Sequence, residues 1–284
     1  MICQIGCSLV VFVTTFAIQA STFAEDLRVL LGDIKDHRTT TQSGFHFGTG
    51  LEIEIKVLGD DLESVKALRP LVSKAVDDSG RNLIDSTKKQ STFVEYQGGT
   101  CSSPLSLQLK NPARKALAVK ELAGSVEIYC PKNDPDSTIV VKNPAGEPKR
   151  VLTHPALEAA RIKLTLFTKQ GYDKEQKPQE STQPNGVADG LAKAFARAFG
   201  GNVGGSKNSA LIAFSDPQSR LVKIEFVDKQ GKPLEPNGGV CTVNDVRSYD
   251  FSEPLPPDAE VRIYVATPKS LKLLPFNLND VPLP

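Results

Sequence analysis

The chain has 284 residues, of which 39% are hydrophobic and 24% are charged, so it has the length of about two ordinary domains, each able to bury its own core. The 34 basic and 33 acidic residues leave a formal net charge of +1. No overall field therefore draws the chain to nucleic acid or to an anionic membrane, and we predict no nucleic-acid partner.

The first 24 residues contain no charged side chain and include an apolar stretch that gives way to small residues before Ala24. This pattern predicts a secretory signal peptide over residues 1–24, so the protein is expected to be exported to the periplasm, the cell surface or the extracellular space. The alternative is a retained membrane anchor, although Thr14, Thr15 and Gln19 interrupt the apolar run. No membrane span is predicted in the mature chain.

Alternating apolar residues predict the strands of a first domain over residues 25–145. The clearest strand is 51–58, where Leu-Glu-Ile-Glu-Ile-Lys-Val-Leu places apolar side chains on one face and charged ones on the other. The other strands predicted for this domain are 27–34, 71–76, 105–109 and 139–141, the last of which closes it. Residues 62–68 suit either a short helix or a loop.

Three prolines and Gly146 fall within residues 144–155, and we therefore predict a linker between two domains at 146–156. The second domain then covers residues 157–284. Its predicted strands are 162–167, 211–214, 221–226, 261–265 and 271–278. The polar residues 171–184, interrupted by prolines, predict a loop.

One helix is predicted within the second domain, over residues 187–199. Val187, Leu191, Phe195 and Phe199 recur every four residues, and Gly200 stands where such a helix would end. This apolar stripe either packs over the strands as an insertion or, through Phe195 and Phe199, binds a partner.

An internal duplication relates the two predicted domains. The segment Val-Glu-Ile-Tyr-Cys at 126–130 is nearly repeated as Val-Arg-Ile-Tyr-Val at 261–265, and in each the first, third and fifth residues face inward if the segment is a strand. Two further landmarks precede both copies in the same order. They are Asp-x-x-Gly-x-x-Leu at 77–83 and 228–234, and Gly-Gly-x-Cys at 98–101 and 238–241.

Three cysteines remain after residues 1–24 are removed: Cys101, Cys130 and Cys241. Cys101 and Cys130 fall in the same repeat, so a disulfide between them is possible in an oxidising compartment. The alternative is a pair of thiols, because the position of Cys130 is occupied by Val265 in the second repeat and is therefore first a packing position. Cys241 is predicted to be a free thiol.

No local motif assigns a reaction to the chain. The three histidines lack metal-ligand spacing, and no Gly-x-Ser-x-Gly segment is present. The carboxylates of Asp134 and Asp136, within Asn-Asp-Pro-Asp at 133–136, are candidate calcium ligands, but the same residues are typical of tight turns. We predict no catalytic residues and no cofactor.

Residues 255–265, Leu-Pro-Pro-Asp-Ala-Glu-Val-Arg-Ile-Tyr-Val, resemble the turn and following strand of fibronectin type III and other immunoglobulin-like modules. The tail, 266–284, is similar to the tails of uncharacterised secreted bacterial proteins with such domains. Together with the many short predicted strands, the resemblance implies a mainly β fold of two antiparallel immunoglobulin-like sandwiches, with the 187–199 helix inserted in the second. The resemblance implies no activity.

Export, duplication and the lack of a catalytic motif together predict a non-catalytic binding or spacer module in the cell envelope or outside the cell. Its partner would be an unknown protein or an envelope component, and its oligomeric state is left open. The alternative is a secreted hydrolase or metal-dependent enzyme with a site between the two domains, because residues that are distant in sequence leave no local motif.

Overall fold

A computed structural model of the chain describes residues 27–38, 49–59, 62, 64–87, 91–176, 206–238, 240–243 and 245–284. These residues form a mainly β structure whose strands pair antiparallel in four sheets, which confirms the predicted class. The predicted signal peptide 1–24 and the predicted helix 187–199, with Phe195 and Phe199, lie outside the described residues. In the described part of the chain, no helix has the length and apolar character to cross a membrane.

Two sheets enclose one hydrophobic core, and we call them together the first β unit. Sheet A has the order β1-β2-β5 and consists of β1 (Arg28–His37), β2 (Gly50–Leu58) and β5 (Leu105–Leu109). Sheet B has the order β15-β6-β3-β4 and consists of β3 (Ala67–Asp77), β4 (Val94–Glu95), β6 (Ala118–Tyr129) and β15 (Leu271–Pro282).

Two more sheets enclose a second core and form the second β unit. Sheet C has the order β11-β14-β7, from β7 (Thr138–Lys142), β11 (Leu221–Val227) and β14 (Glu260–Val265). Sheet D has the order β12-β13-β10-β9-β8, from β8 (Lys149–Leu152), β9 (Lys163–Thr168), β10 (Ala210–Ser215), β12 (Val240–Val243) and β13 (Val246–Tyr249). The described helices are α1 (Pro155–Ala159) and α2 (Lys169–Gln176).

The alternation in β2 shows how the sequence builds these layers. Leu51, Ile53, Ile55 and Val57 are all 0% exposed and belong to the first core. The charged residues between them are half-buried on the opposite face. The prediction of a half-buried strand at 51–58 is therefore confirmed, because the period of two places every second side chain against sheet B.

The repeated Asp-x-x-Gly-x-x-Leu segments form the same turn in both units. Asp77 and Asp228 each accept, through Oδ1, a hydrogen bond of 2.9 Å from the backbone N–H four residues later. Gly80 and Gly231 adopt φ values of +86° and +81°, which only glycine reaches without strain. Equivalent backbone hydrogen bonds follow each turn. The two copies therefore share backbone geometry as well as sequence.

The two units exchange their last strands. The repeated strands β6 and β14 pair with β3 and β11 respectively, as a duplication requires. On its other edge, however, β6 pairs with β15, whereas β14 pairs with β7. Each unit is thus completed by the strand that follows the repeated strand of the other unit.

This exchange contradicts two predicted strand placements. Residues 139–141 do not close the first domain, because Ile139 and Val141 are buried in the second core. Residues 271–278 do not belong to the second, because Leu274 and Phe276 are buried in the first core. The two connections that cross between the units, from β6 to β7 and from β14 to β15, are hydrogen-bonded to each other. The N–H of Cys130 donates to the carbonyl of Ser270 at 2.8 Å.

Two segments predicted as irregular contain regular structure. The predicted linker 146–156 contains β8, which pairs with β9, and the start of α1. The predicted loop 171–184 begins inside α2, which packs beside β9. Pairing and packing within sheet D override the local proline and polar signals. The domain boundaries 25–145 and 157–284 themselves stay a prediction.

Candidate functional site

The strand exchange brings the outer faces of sheets B and C together. Tyr129 and Tyr264 occupy the same position in the two repeats, and they are 0% and 6% exposed although both point away from the cores of their own units. They form a small separate cluster with Ala67 and Ala266. The two outer faces therefore bury each other and form an interface between the units.

A buried ion pair lies at this interface. Arg69 Nε donates to Glu127 Oε2 at 2.6 Å, and both side chains are almost fully buried. Arg69 and Glu127 are direct cross-strand partners in sheet B, as Glu225 and Arg262 are in sheet C. The duplication therefore kept a charged pair at this position while reversing its direction.

Glu225 is the centre of a second polar network. The Tyr264 hydroxyl donates to its Oε2 at 2.9 Å, Lys66 Nζ lies 3.6 Å from the same oxygen, and Lys223 Nζ lies 3.2 Å from Oε1. Burial alone would raise the pKa of Glu225, but the Tyr264 hydrogen bond and the two lysine charges outweigh it and hold the pKa below its ordinary value. Glu225 is therefore a fixed anion.

Further contacts join the two units directly. Lys223 of the second unit forms an ion pair with Glu95 of the first, and Arg69 donates to the carbonyl oxygen of Ser219. The Arg69 guanidinium carbon also lies 4.3 Å from the centre of the Phe93 ring. Such stacked and charge-assisted contacts have directional geometry, so they fix the orientation of one unit against the other.

Beside this interface the units leave an open cleft of about 810 Å³. Its lining includes Phe93 and Glu95, at and before β4, and residues 221–224 of β11. Val240 and Thr242 of β12 and Arg247 of β13 also line the cleft. The volume is in the range typical of ligand sites, and we take this cleft as the candidate functional site.

Lys223, which lines the cleft, and its partner Glu225 hold fixed opposite charges. Burial would lower the pKa of Lys223, but its bonds to Glu95 and Glu225 reverse this and raise it. Lys223 and Glu225 therefore both remain charged at neutral pH, whereas a general acid or base needs a pKa near the working pH. The carboxylate of Asp216 is occupied by the backbone N–H groups of Arg220 and Leu221, at 2.9 and 2.7 Å.

The candidate calcium ligands lie on a turn between β6 and β7. Asp134 is buried, and its Oδ1 accepts from the N–H of Asp136 at 3.2 Å while its Oδ2 accepts from Thr267 Oγ1 at 2.5 Å. Its role in the structure is thus to tie the two crossing connections together. No group of three potential metal-binding side chains occurs among the residues that the structure describes. Calcium binding stays a prediction.

Cys101, Cys130 and Cys241 carry thiols in the structure. Cys130 is buried in the first core, as the packing interpretation expected, while Cys101 and Cys241 are exposed. A Cys101–Cys130 disulfide therefore stays a prediction. Cys241 lies in β12, between the two residues of that strand that line the cleft.

Most of the cleft was missed by reasoning from the sequence. Its lining comes from segments near residues 66, 93, 215–224 and 240–249, which no motif connects. Tyr264 and Arg262 were correctly expected on the outward face of their strand, but alternation does not tell whether a second sheet covers that face. A useful signal was available in β11 and β14, where charged residues alternate with apolar ones inside otherwise apolar strands.

Comparison of the chain with protein-family models, with curated proteins and with solved structures finds no match. The candidate site is therefore argued from its own geometry.

Proposed function

We propose that this protein is an exported, non-catalytic binding protein, built from two immunoglobulin-like sandwich modules, that holds its ligand in the cleft between them. The observation that carries the proposal is the open cleft of about 810 Å³ between two units whose relative orientation is fixed by exchanged strands. Export rests on the uncharged, apolar residues 1–24.

The exchange gives the cleft a fixed shape before any ligand arrives. β15 is paired with β6 along its whole length, and β7 is paired with β14. Moving one unit against the other would strain the two crossing connections, from β6 to β7 and from β14 to β15, or break the ion pair between Lys223 and Glu95. A preformed site loses less conformational entropy on binding than two domains on a flexible linker, so this construction favours recognition.

The pKa directions of Lys223 and Glu225 separate this proposal from the enzyme alternative. Both shifts stabilise the charged forms, which suits electrostatic recognition and positioning of a ligand. A protonated carboxylic acid at Glu225 or a neutral amine at Lys223, the forms in which these two groups would act as acid and base, is disfavoured by the same shifts.

A site-directed photocrosslinking experiment in native cells tests the proposal. A photoreactive amino acid replaces Thr242, in the cleft, and in a matched strain it replaces Val151, an exposed residue of β8 at the far edge of the same sheet. We expect illumination to give a reproducible adduct from position 242 that is missing from position 151. Equal adduct patterns at both positions would contradict a binding role for the cleft.

A further inference from the structure

The cleft contains an open sheet edge. β12 is the outermost strand of sheet D and pairs on one side with β13. Val240, which is 49% exposed, and Thr242 both line the cleft. Alternate residues of an edge strand direct their backbone N–H and C=O groups away from the sheet. Among the residues that the structure describes, no strand pairs with these groups of β12 beside the cleft.

The sequence of this edge does not protect it from pairing. β12 reads Val-Cys-Thr-Val, without a charge or a proline and with residues that favour strands. Other outermost strands carry the features that normally block a further strand: β8 begins with Lys149 and Arg150, and β15 contains Pro275 and Pro282. β5 is also uncharged, but it does not line the cleft. β11, the outermost strand of sheet C, also lines the cleft, but it carries the charged Lys223 and Glu225. Of these two edges, β12 is thus the one competent to accept another strand.

A cation without a carboxylate partner stands next to this edge. Arg247 is the cross-strand neighbour of Thr242, and its guanidinium carbon lies 4.6 Å from the centre of the Phe214 ring. Within the described ranges, no carboxylate lies within the 4.0 Å of an ion pair from Arg247. The other two cations of the cleft, Lys66 and Lys223, are paired with carboxylates.

These observations together identify the chemistry of the occupant. We infer that the cleft binds an extended polypeptide segment that adds to the free edge of β12 and carries an acidic side chain for Arg247. The Arg247 guanidinium is stacked on Phe214 of β10 and lines the same cleft as Thr242, so an acidic side chain of the added strand has to extend over Thr242 into the cleft to meet it. A guanidinium held on an aromatic ring is a strong receptor for a carboxylate, because it offers several N–H donors in a plane. This inference rests on the proposed binding function and adds the class of ligand.

Peptide selection on the full mature chain, residues 25–284, tests the side-chain part. A displayed library of random 12-residue peptides is selected on the wild-type protein, on Arg247→Glu, and on Lys120→Glu. Lys120 is exposed on β6 and does not line the cleft, so its variant makes the same charge change away from it. We expect enriched peptides to share an acidic position for the wild type and Lys120→Glu, and a basic position for Arg247→Glu.

A second variant controls for misfolding of the protein caused by Arg247→Glu. Arg247→Gln removes the charge and keeps a shorter polar side chain at this partly exposed position, so we expect it to retain the wild-type melting temperature and lose the acidic preference. Enrichment of the same acidic peptides by Arg247→Gln or Arg247→Glu would overturn the assignment of Arg247.

The backbone part is tested on the peptide, which leaves the protein unchanged. The best enriched peptide is synthesised with N-methyl groups on its odd residues or on its even residues. Strand addition uses alternate N–H groups, so one version should lose at least about tenfold in affinity and the other should retain it. Equal tolerance of both versions would overturn strand addition.

The two proposals fail in different ways. A reproducible adduct at position 242 with no enriched peptide, for example on a glycan, overturns the peptide inference and leaves the binding function standing. Loss of both the adduct and the enrichment overturns both.

Discussion

Truncation of Phe276 to alanine is the most informative single change in the fold. Phe276 lies in the last strand of the chain, yet it is 7% exposed and packed in the core of the first β unit. Its ring also contacts the backbone of β6 near Gly124. Removing a buried phenylalanine side chain costs about 3–5 kcal/mol, and we expect a value near 3 because β15 is an edge strand with neighbours on one side only.

Urea unfolding of the full mature chain measures this cost. The chain contains no tryptophan and five tyrosines, so tyrosine fluorescence and circular dichroism are suitable probes. Leu273→Ala is the matched control, because Leu273 belongs to the same strand but is 64% exposed. Its effect should stay within about 0.5 kcal/mol. Equal small losses for the two variants would refute the placement of Phe276 in a core.

Hydrogen exchange shows which strands lose amide protection in Phe276→Ala. Phe276→Ala should lower amide protection first in β6 and β3, the strands of sheet B on which β15 rests. Loss of protection that starts in β14, the strand that precedes β15 in sequence, would contradict the exchange of strands and favour two separate tandem domains.

Two other predictions concern buried charges. Glu127→Gln leaves the Arg69 charge buried without its partner, so the free energy of unfolding should fall by about 3–5 kcal/mol. The double replacement Arg69→Met with Glu127→Leu should recover most of this loss in urea unfolding. A double variant as unstable as the single one would contradict this assignment of the cost to an unpaired buried charge. For Asp77, burial would raise the pKa, but hydrogen bonds from the backbone and from Ser79 overcome this and lower it. A lowered pKa in the folded state means that ionised Asp77 stabilises the fold above the unfolded pKa of about 4, and that this stability is lost as the pH falls through the folded value. Asp77→Asn should therefore be less stable than the wild type at pH 7. Its melting temperature should also decrease less than that of the wild type between about pH 5 and about pH 2. Parallel plots of melting temperature against pH for the two proteins would contradict the role of the carboxylate.

Local features of the fold were well determined by the sequence. The alternation in 51–58 and 105–109 predicted β2 and β5, because side-chain period alone defines a half-buried strand. The Asp-x-x-Gly-x-x-Leu repeats predicted equivalent turns, because both the aspartate acceptor and the positive φ of glycine act within a few residues.

Strand partners were not determined in this way. β7 and β15 each follow a copy of the repeated strand, and either could pair with β6 or with β14 on pattern alone. The choice depends on the short connections, where the Asp134 carboxylate and Thr267 bind each other across the two units. A contact between residues so far apart in sequence leaves no periodic signal.

The cleft was beyond local reasoning for the same reason. Arg247 appears in the sequence as an ordinary charged residue of a short strand. Its position on the Phe214 ring emerges only when β13 and β10 are adjacent in sheet D. Of the hypotheses drawn from the sequence, the alternative of an enzyme placed its site between the two domains, whereas the binding-module hypothesis gave no location for its site.

Disulfide trapping of the exchanged strand tests the central claim most directly. Ala123 and Asn277 are direct cross-strand partners in β6 and β15, at a separation that a disulfide spans in an antiparallel pair. Cysteines at these positions, with the exposed Cys101 and Cys241 replaced by serine, should form a crosslink on mild oxidation, identified by mass mapping of unreduced tryptic peptides. The control pair places cysteines at Asn277 and at Arg262 in β14. A crosslink between positions 123 and 277, and none between 262 and 277, is predicted. The opposite pattern would contradict the exchange of strands, and with it the rigid cleft on which the proposed binding function depends.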